Sequence, residues 1–215
     1  MGEAVDLFAI QRELADQGID LRQGRPNSLN GVDHALTIAF GTVIENARGS
    51  RGNDSITGNE IKNLLFGNEG NDRFNGRGGD DVLRGGAGSD TYVWDLGGNT
   101  DTIREESLGG RDIIEIHDPF SRANVLQDDL TFRRFGRDLR IDLSFDNAES
   151  LGSLIIKDMQ WGGSRVETLK FFDSTGNQIG TNIDLNSVFV QATDVRTAFK
   201  LSNIQTQFGF IAVPV

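Results

Sequence analysis

The chain has 215 residues, 32 of them acidic and 21 basic, for a net charge of −11. That length holds one sizeable core or two small domains, and the charge disfavours nucleic acid and favours cations as partners. Cys is absent, which excludes disulfides and thiolate metal sites, and no apolar run approaches the roughly 18 residues of a membrane span.

Gly is common, at 27 residues, and Pro scarce, at 3, a balance that predicts many tight turns rather than disorder. The N-terminal MGEAVDLFAIQREL lacks a basic start followed by an apolar core, so no N-terminal signal peptide is expected. Residues 1–48 carry no repeat and are expected to form a flank that packs on the repeats beginning at Gly49. Within them, DLFAIQRELADQG (6–18) sets Leu7, Ile10 and Leu14 near helical spacing, with Asp6 as N-cap and Gly18 as stop. The pattern predicts a helix.

From Gly49 the chain repeats every nine residues as GSRGNDSIT, GNEIKNLLF, GNEGNDRFN, GRGGDDVLR and GGAGSDTYV, five units without an insertion. Position 6 is Asp54, Asn63, Asp72, Asp81 and Asp90, and position 8 is Ile56, Leu65, Phe74, Leu83 and Tyr92. Positions 1–6 read as a turn, with Gly at positions 1 and 4 permitting positive φ. Positions 7–9 read as a short strand with position 8 pointing inward. A single Gly–Asp turn would be an ordinary surface turn. Stacked in register, such turns bring like charges together, which destabilises them unless a cation lies between.

This pattern has the form of the nonapeptide calcium repeat G-G-x-G-x-D-x-U-x, and the region resembles the RTX, or haemolysin-type, family. The resemblance implies an all-β fold, a parallel β-roll in which two units make one coil. Turns then alternate between two edges, with Asp54, Asp72 and Asp90 on one and Asn63 and Asp81 on the other. It also implies calcium between stacked turns. The earlier turn would give the carbonyls of positions 2 and 4, the later turn those of positions 1 and 3, and both a carboxylate, toward the six to eight oxygens the ion prefers. Carried onto this chain, one ion would see Ser50, Gly52, Asp54, Gly67, Glu69 and Asp72. The next would see Asn68, Gly70, Asp72, Gly85, Ala87 and Asp90. On the opposite edge Asn59, Ile61 and Asn63 would face Gly76, Gly78 and Asp81. There Ile61 replaces Gly and Asn63 replaces Asp, so a strained turn and weaker occupancy are expected. Arg77, Gly79 and Asp81 would join WDLGGNTDTI (94–103) through Asp101 rather than Asp95. Gly86 and Gly88 complete the last turn beside Asp90, and Asp112 could close that edge. About three to five calcium ions are expected.

The approach ALTIAFGTVIENARGSRGND resembles that of the serralysin-type metalloprotease C-terminal domain. The likeness implies a further calcium site at Glu45 with Glu3; a solvated Glu45 is the simpler reading. After residue 104 the period stops. LTFRRFGRDLRIDL (130–143) reads as two strands about an FGRD turn, and 153–179 as further strands with turns at GG and STGN. The order LTF, DLRI, IIKD, VETLKF resembles the module that often comes after RTX repeats. It implies an antiparallel β cap over 117–215, closing a roll of 49–116 whose open end would otherwise template aggregation. The apolar ending FGFIAVPV lies in 195–215, read as an uncleaved type I secretion signal or a last cap strand.

His34 and His117 stand 83 positions apart, so no HExxH zinc motif forms, and neither a Cys nucleophile nor GxSxG is present. Asp118–Pro119 reads as a loop rather than a self-cleavage site. Tyr92, Trp94 and Trp161 read as packing rather than a sugar platform. The expected protein is a non-catalytic, monomeric calcium-binding module of a secreted bacterial protein. It would fold on calcium outside the cell and support passage through type I secretion machinery. Two alternatives stand beside this. One is binding of an anionic, alginate-like polysaccharide through Arg48, Arg51, Arg73, Arg77 and Arg84. The other is the non-catalytic C-terminal domain of a serralysin-type metalloprotease whose catalytic domain is not in this chain.

Overall fold

The computed structural model describes residues 43–97, 99–105, 110–117, 129–145, 149–159 and 166–192, and the strand backbone of 6–8, 18–20, 26–29, 32–37 and 199–200. The strands are β1 (Asp6–Phe8), β2 (Gly18–Asp20), β3 (Pro26–Leu29), β4 (Val32–Thr37), β5 (Asn46–Arg48), β6 (Ser55–Thr57), β7 (Leu64–Glu69), β8 (Arg73–Asn75) and β9 (Val82–Ala87). They continue as β10 (Thr91–Asp95), β11 (Thr100–Ile103), β12 (Asp112–His117), β13 (Leu130–Phe135), β14 (Asp138–Phe145), β15 (Glu149–Ile156), β16 (Val166–Phe172) and β17 (Gln178–Asp184). A helix, α1 (Leu185–Gln191), and β18 (Phe199–Lys200) complete the order.

The strands form two 9-stranded sheets. The first runs β1-β5-β7-β9-β11-β15-β14-β13-β18 and the second β17-β16-β12-β10-β8-β6-β2-β3-β4. Successive nonapeptides enter opposite sheets, so equivalent residues of one sheet stack 18 positions apart, as in Asn46↔Leu64↔Val82 and Ser55↔Arg73↔Thr91. The chain is therefore a parallel β-roll. Position 8 fills the space between the sheets: Ile56, Leu65, Phe74, Leu83 and Tyr92 are all buried. Phe74 and Tyr92 stack with ring centroids 5.3 Å apart. Trp94 is buried in the same core, which removes it from any exposed platform; Trp161 lies outside the described residues.

The roll extends past the nonapeptides at both ends. β1 and β2 pair in parallel with β5 and β6, and β15 and β16 with β11 and β12. The helix expected over 6–18 gives way to strand at Asp6–Phe8 and again at Gly18. Pairing with the open edges of β5 and β6 outweighs the local helical pattern there; residues 9–17 lie outside the described set. At the other end, the region expected as an antiparallel cap is mixed. β13, β14 and β15 are antiparallel neighbours about Phe135–Asp138, while β15 and β16 add one more parallel coil. β17 returns antiparallel on β16, and α1 comes next, capped by the Asp184 carboxylate, which accepts from the Asn186 and Ser187 N–H groups.

Candidate metal centre

Each coil presents its turns at the two edges of the roll, and the position-6 side chains reach back one coil. On the first edge the Asp72 carboxylate accepts from the Asp54 N–H at 2.8 Å, Asp90 from Asp72 at 2.8 Å, and Asp112 from Asp90 at 2.8 Å. Glu167 then accepts from the Asp112 N–H at 2.7 Å. On the second edge Asp81 accepts from Asn63 at 2.7 Å and Asp101 from Asp81 at 3.0 Å. It is Asp101, not Asp95, that joins this ladder. Asp54, Asp72, Asp81, Asp90, Asp101 and Asp112 are all buried.

One oxygen of each carboxylate is thus spoken for, while Oδ2 of Asp81 and of Asp90 is buried without a hydrogen-bond partner. A buried carboxylate oxygen left so costs several kcal/mol by desolvation alone. The space it faces is set by the position-1 glycines. A Cβ on Gly67 would collide with Asp72 Oδ2 and lie 2.7 Å from the Gly85 carbonyl oxygen; one on Gly49 would collide with Asp54 Oδ2 and lie 2.8 Å from the Gly67 oxygen. Position 1 is therefore glycine for room. The left-handed backbone falls at positions 2 and 4: Asn68 (φ 88), Arg77 (φ 68) and Gly86 (φ 108), then Gly70 (φ 112), Gly79 (φ 95) and Gly88 (φ 135).

Burial acts on the charges in the same direction. It pushes Asp81 up to about 8, with Asp101 and Asp80 adding to the rise, and Asp90 and Asp101 to about 6. Burial likewise lifts Asp112 to about 7 and Glu105 to about 9, the latter helped by Asp112 and Asp90. Left alone near neutral pH, Asp81 and Glu105 hold protons. The donor set (hard oxygens only, charged, buried, short of hydrogen bonds) fits an oxygen-seeking divalent cation such as Ca²⁺.

Among the described residues, one cluster of three carboxylates is not announced by the repeat. Asp90, Glu105 and Asp112 are all buried, with ligand oxygens within 4.8 Å of one another. The Tyr92 hydroxyl donates to Glu105 Oε1, and the Gly86 N–H approaches Oε2 at 3.4 Å. Glu105 stands beyond the last regular unit, and only the folded register carries it to Asp90.

Some expected ligands are less available. The Ser50 carbonyl accepts from Asn68 Nδ2 at 3.3 Å, the Ala87 carbonyl from the Gly70 N–H at 2.8 Å, and the Asn59 carbonyl from the Gly78 N–H at 3.1 Å. The strain expected at Ile61 does not arise, because its φ is not in the left-handed region, and its side chain is exposed. At that turn Asn63 Oδ1 accepts from the Asn59 N–H at 2.8 Å, and its Nδ2 faces the Ile44 and Glu45 carbonyls at 3.4 and 3.3 Å. Asn59 Nδ2 donates to the same Ile44 carbonyl at 2.8 Å. Two neutral amides thus close the entrance of the second edge. Glu45 Oε2 beside them is buried without a hydrogen-bond partner; Glu3 lies outside the described residues.

No catalytic constellation accompanies these edges among the described residues. His117 is half-buried, stacks on Phe172 and bonds Glu115 at 3.2 Å; only the backbone of His34 is described, in β4, and Asp118–Pro119 lies outside the described residues. The arginines considered as a polymer groove are dispersed. Arg73 pairs with Glu115 at 2.7 Å on the second sheet, and Arg51 and Arg77 pair with Glu69 and Glu60 at the turns.

Comparison with known proteins agrees with this geometry. The family described as peptidase M10 serralysin C terminal matches residues 2–172. A serralysin of Proteus mirabilis is 42% identical over 60 residues, 28% of this chain and 12% of that protein.

Proposed function

We propose a function from one premise: the chain belongs to the peptidase M10 serralysin C-terminal family. On this reading the chain is a calcium-binding RTX module whose folding is coupled to the ion. Asp54, Asp72, Asp90 and Asp112 on one edge, with Glu105, and Asp81 and Asp101 on the other, hold Ca²⁺ between successive turns, helped by the Gly67, Gly76 and Gly85 carbonyls. The ion supplies positive charge and a flexible oxygen-rich coordination sphere. The chain's own residues supply stacked turns, glycine-made room and carboxylates already aligned by backbone N–H groups.

One observation carries the reading: buried Asp81 and Asp90 each keep an oxygen with no hydrogen-bond partner. Sites of about 10⁻⁴–10⁻³ M affinity stay empty in the cytosol and fill outside. Binding free energy then becomes folding free energy. An acidic chain kept unfolded inside the cell suits export through a type I channel, with 195–215 as the signal and 49–116 as the calcium-binding roll. No helix among the described residues is long and apolar enough to cross a membrane. On this reading the module is non-catalytic and forms the C-terminal part of a serralysin-like protein, which its family match supports.

Native mass spectrometry and circular dichroism, with chelator and through a calcium titration, test this. About three to five bound ions, loss of strand signal in chelator and its cooperative return are expected. A chain that keeps the roll at pH 8 in chelator and takes up no calcium overturns the reading.

A further inference from the structure

The position-1 glycines mark a series of equivalent spaces along the roll, and one of them differs in chemistry. A Cβ on Gly49 or Gly67 would meet the position-6 carboxylate of its own turn and the carbonyl oxygen of the glycine one coil on, Gly67 or Gly85. A Cβ on Gly58 would meet Asn63 Oδ1 and the Gly76 carbonyl oxygen. At Gly85 the nearest atoms are Asp90 Oδ2, the Tyr92 hydroxyl oxygen and Glu105 Oε1. A carboxylate thus stands where the regular turns offer a neutral carbonyl. The break in period is the cause: one coil beyond Gly85 the chain has Ile103 in place of glycine, and Glu105 follows just after β11.

Along the regular turns, successive position-6 side chains bring two carboxylates to a site, Asp54 with Asp72 and Asp72 with Asp90. Past Asp90 there are three, because Glu105 joins Asp90 and Asp112 with ligand oxygens within 4.8 Å of one another. Glu167, which accepts from the Asp112 N–H at 2.7 Å, adds negative charge beside them. Asp90 Oδ2 is buried with no hydrogen-bond partner, and it is this oxygen that shares the space over Gly85 with Glu105. The site is also held more firmly than its neighbours. Tyr92 is the one polar residue at position 8 of the five units. Its ring is stacked on Phe74 in the core, and its hydroxyl donates to Glu105 Oε1. The Gly86 N–H approaches Oε2 of the same carboxylate at 3.4 Å. Ligand charge and site rigidity are what spread calcium affinities over decades among sites of similar oxygen count.

Resting on the reading that the turns hold calcium, we propose that Asp90, Glu105 and Asp112 form a high-affinity site. Its ion is taken up before those of the nonapeptide turns and kept after they are lost, at calcium concentrations lower by about tenfold or more. Glu105 supplies the additional charge, and Tyr92 is the positioning residue that holds it. The ion ties Asp90, which leads into β10, to Asp112, which opens β12, and both to Glu105 after β11. The two sheets are thereby joined where the nonapeptides end. The chain then answers calcium at two thresholds: one resident ion at this junction, and exchangeable ions in the turns before it.

The test is a calcium titration of the full chain by calorimetry at alkaline pH, where protons compete least for the carboxylates, with native mass spectrometry at buffered low calcium. One tight equivalent is expected ahead of a weaker set, and one ion should remain on the chain when the weaker set is empty. Tyr92 is the sole tyrosine, so its near-ultraviolet absorbance change should saturate with the first equivalent. Glu105→Gln should abolish the tight phase and leave the weaker one, whereas Asp54→Asn should alter the weaker phase alone. Tyr92→Phe keeps every ligand and the core ring; it should weaken the tight phase about threefold or more, as for one lost hydrogen bond, without changing the ion count. Calcium uptake in a single phase, or a tight phase that persists in Glu105→Gln, overturns this inference and leaves the calcium reading standing. Uptake of no calcium at all overturns both.

Discussion

At the scale of single residues, the difference between an oxygen and an amide nitrogen decides where a cation is needed. Asp54, Asp72, Asp81 and Asp90 share one place in the repeat with Asn63, yet Asn63 meets the preceding turn as a donor, to the Ile44 and Glu45 carbonyls. In Asn63→Asp a carboxylate oxygen replaces that nitrogen at about the same distance from two carbonyl oxygens. Oxygens so placed repel unless a cation separates them. Without calcium the variant should lose about 1–3 kcal/mol, as for a buried polar group stripped of its partner. With calcium it should recover much of this and bind one additional ion, measurable by urea melts in chelator and by native mass spectrometry. Equal stability and equal ion count would show that the amide is incidental. The converse change is Gly67→Ala. Its methyl would meet Asp72 Oδ2 and the Gly85 carbonyl, so it should lower the number of bound ions without adding any chemistry of its own. The departure at Asn63 was legible in the sequence as a missing charge. That its nitrogen would point to the preceding turn was not, because Ile44 and Glu45 belong to no repeat.

At the scale of elements, the frame of nine made the central coils legible because one pattern sets both the turn and the inward residue. Ile56, Leu65, Phe74, Leu83 and Tyr92 sit where position 8 requires. Phe74, stacked on Tyr92, should cost about 3–5 kcal/mol as Phe74→Ala, read as a lowered denaturation midpoint of the calcium-loaded chain. The coils at the two ends were not legible. β1, β2, β15 and β16 carry no nonapeptide, and what recruits them is the row of unpaired backbone groups on the neighbouring roll strands. The same break in period hid Glu105, which lies just after β11 and reaches Asp90 and Asp112 only through the longer turn between β10 and β11. Glu105→Gln therefore separates two roles. Replacing a carboxyl that must otherwise ionise beside Asp90 and Asp112 should stabilise the chain in chelator at about pH 9, while removing a charged ligand should weaken calcium binding in isothermal titration. A variant that shifts both in the same direction would place Glu105 outside the ion site.

At the scale of the whole molecule, the ladders make stability depend on protons and calcium in opposite senses. Asp81, Asp90, Asp101, Asp112 and Glu105 are raised by burial to between about 6 and about 9 in the folded chain, against roughly 4 when unfolded. Over that interval the metal-free fold binds more protons than the unfolded chain, so its stability falls as pH rises. The contribution of these groups is fully present below pH 4 and is lost through the interval up to about 9. Glu115 acts the other way. Burial raises it, but hydrogen bonds from Arg73 and His117 outweigh that and hold it low, so its contribution is present above the ordinary carboxylate range and is lost on acidification. A chelated sample should accordingly keep its roll near pH 5 and lose it near pH 8.5, tracked by the emission of buried Trp94 and by strand dichroism. Calcium ligation needs the deprotonated carboxylates, so affinity should climb over the same interval, and the calcium-loaded fold should stay formed at the alkaline end. Protons and the ion thereby compete for the same buried oxygens. A chelated roll that is more stable near pH 8.5 than near pH 5 would mean that those oxygens are solvated or paired in solution, and the case for a cation between the turns would lose its physical basis.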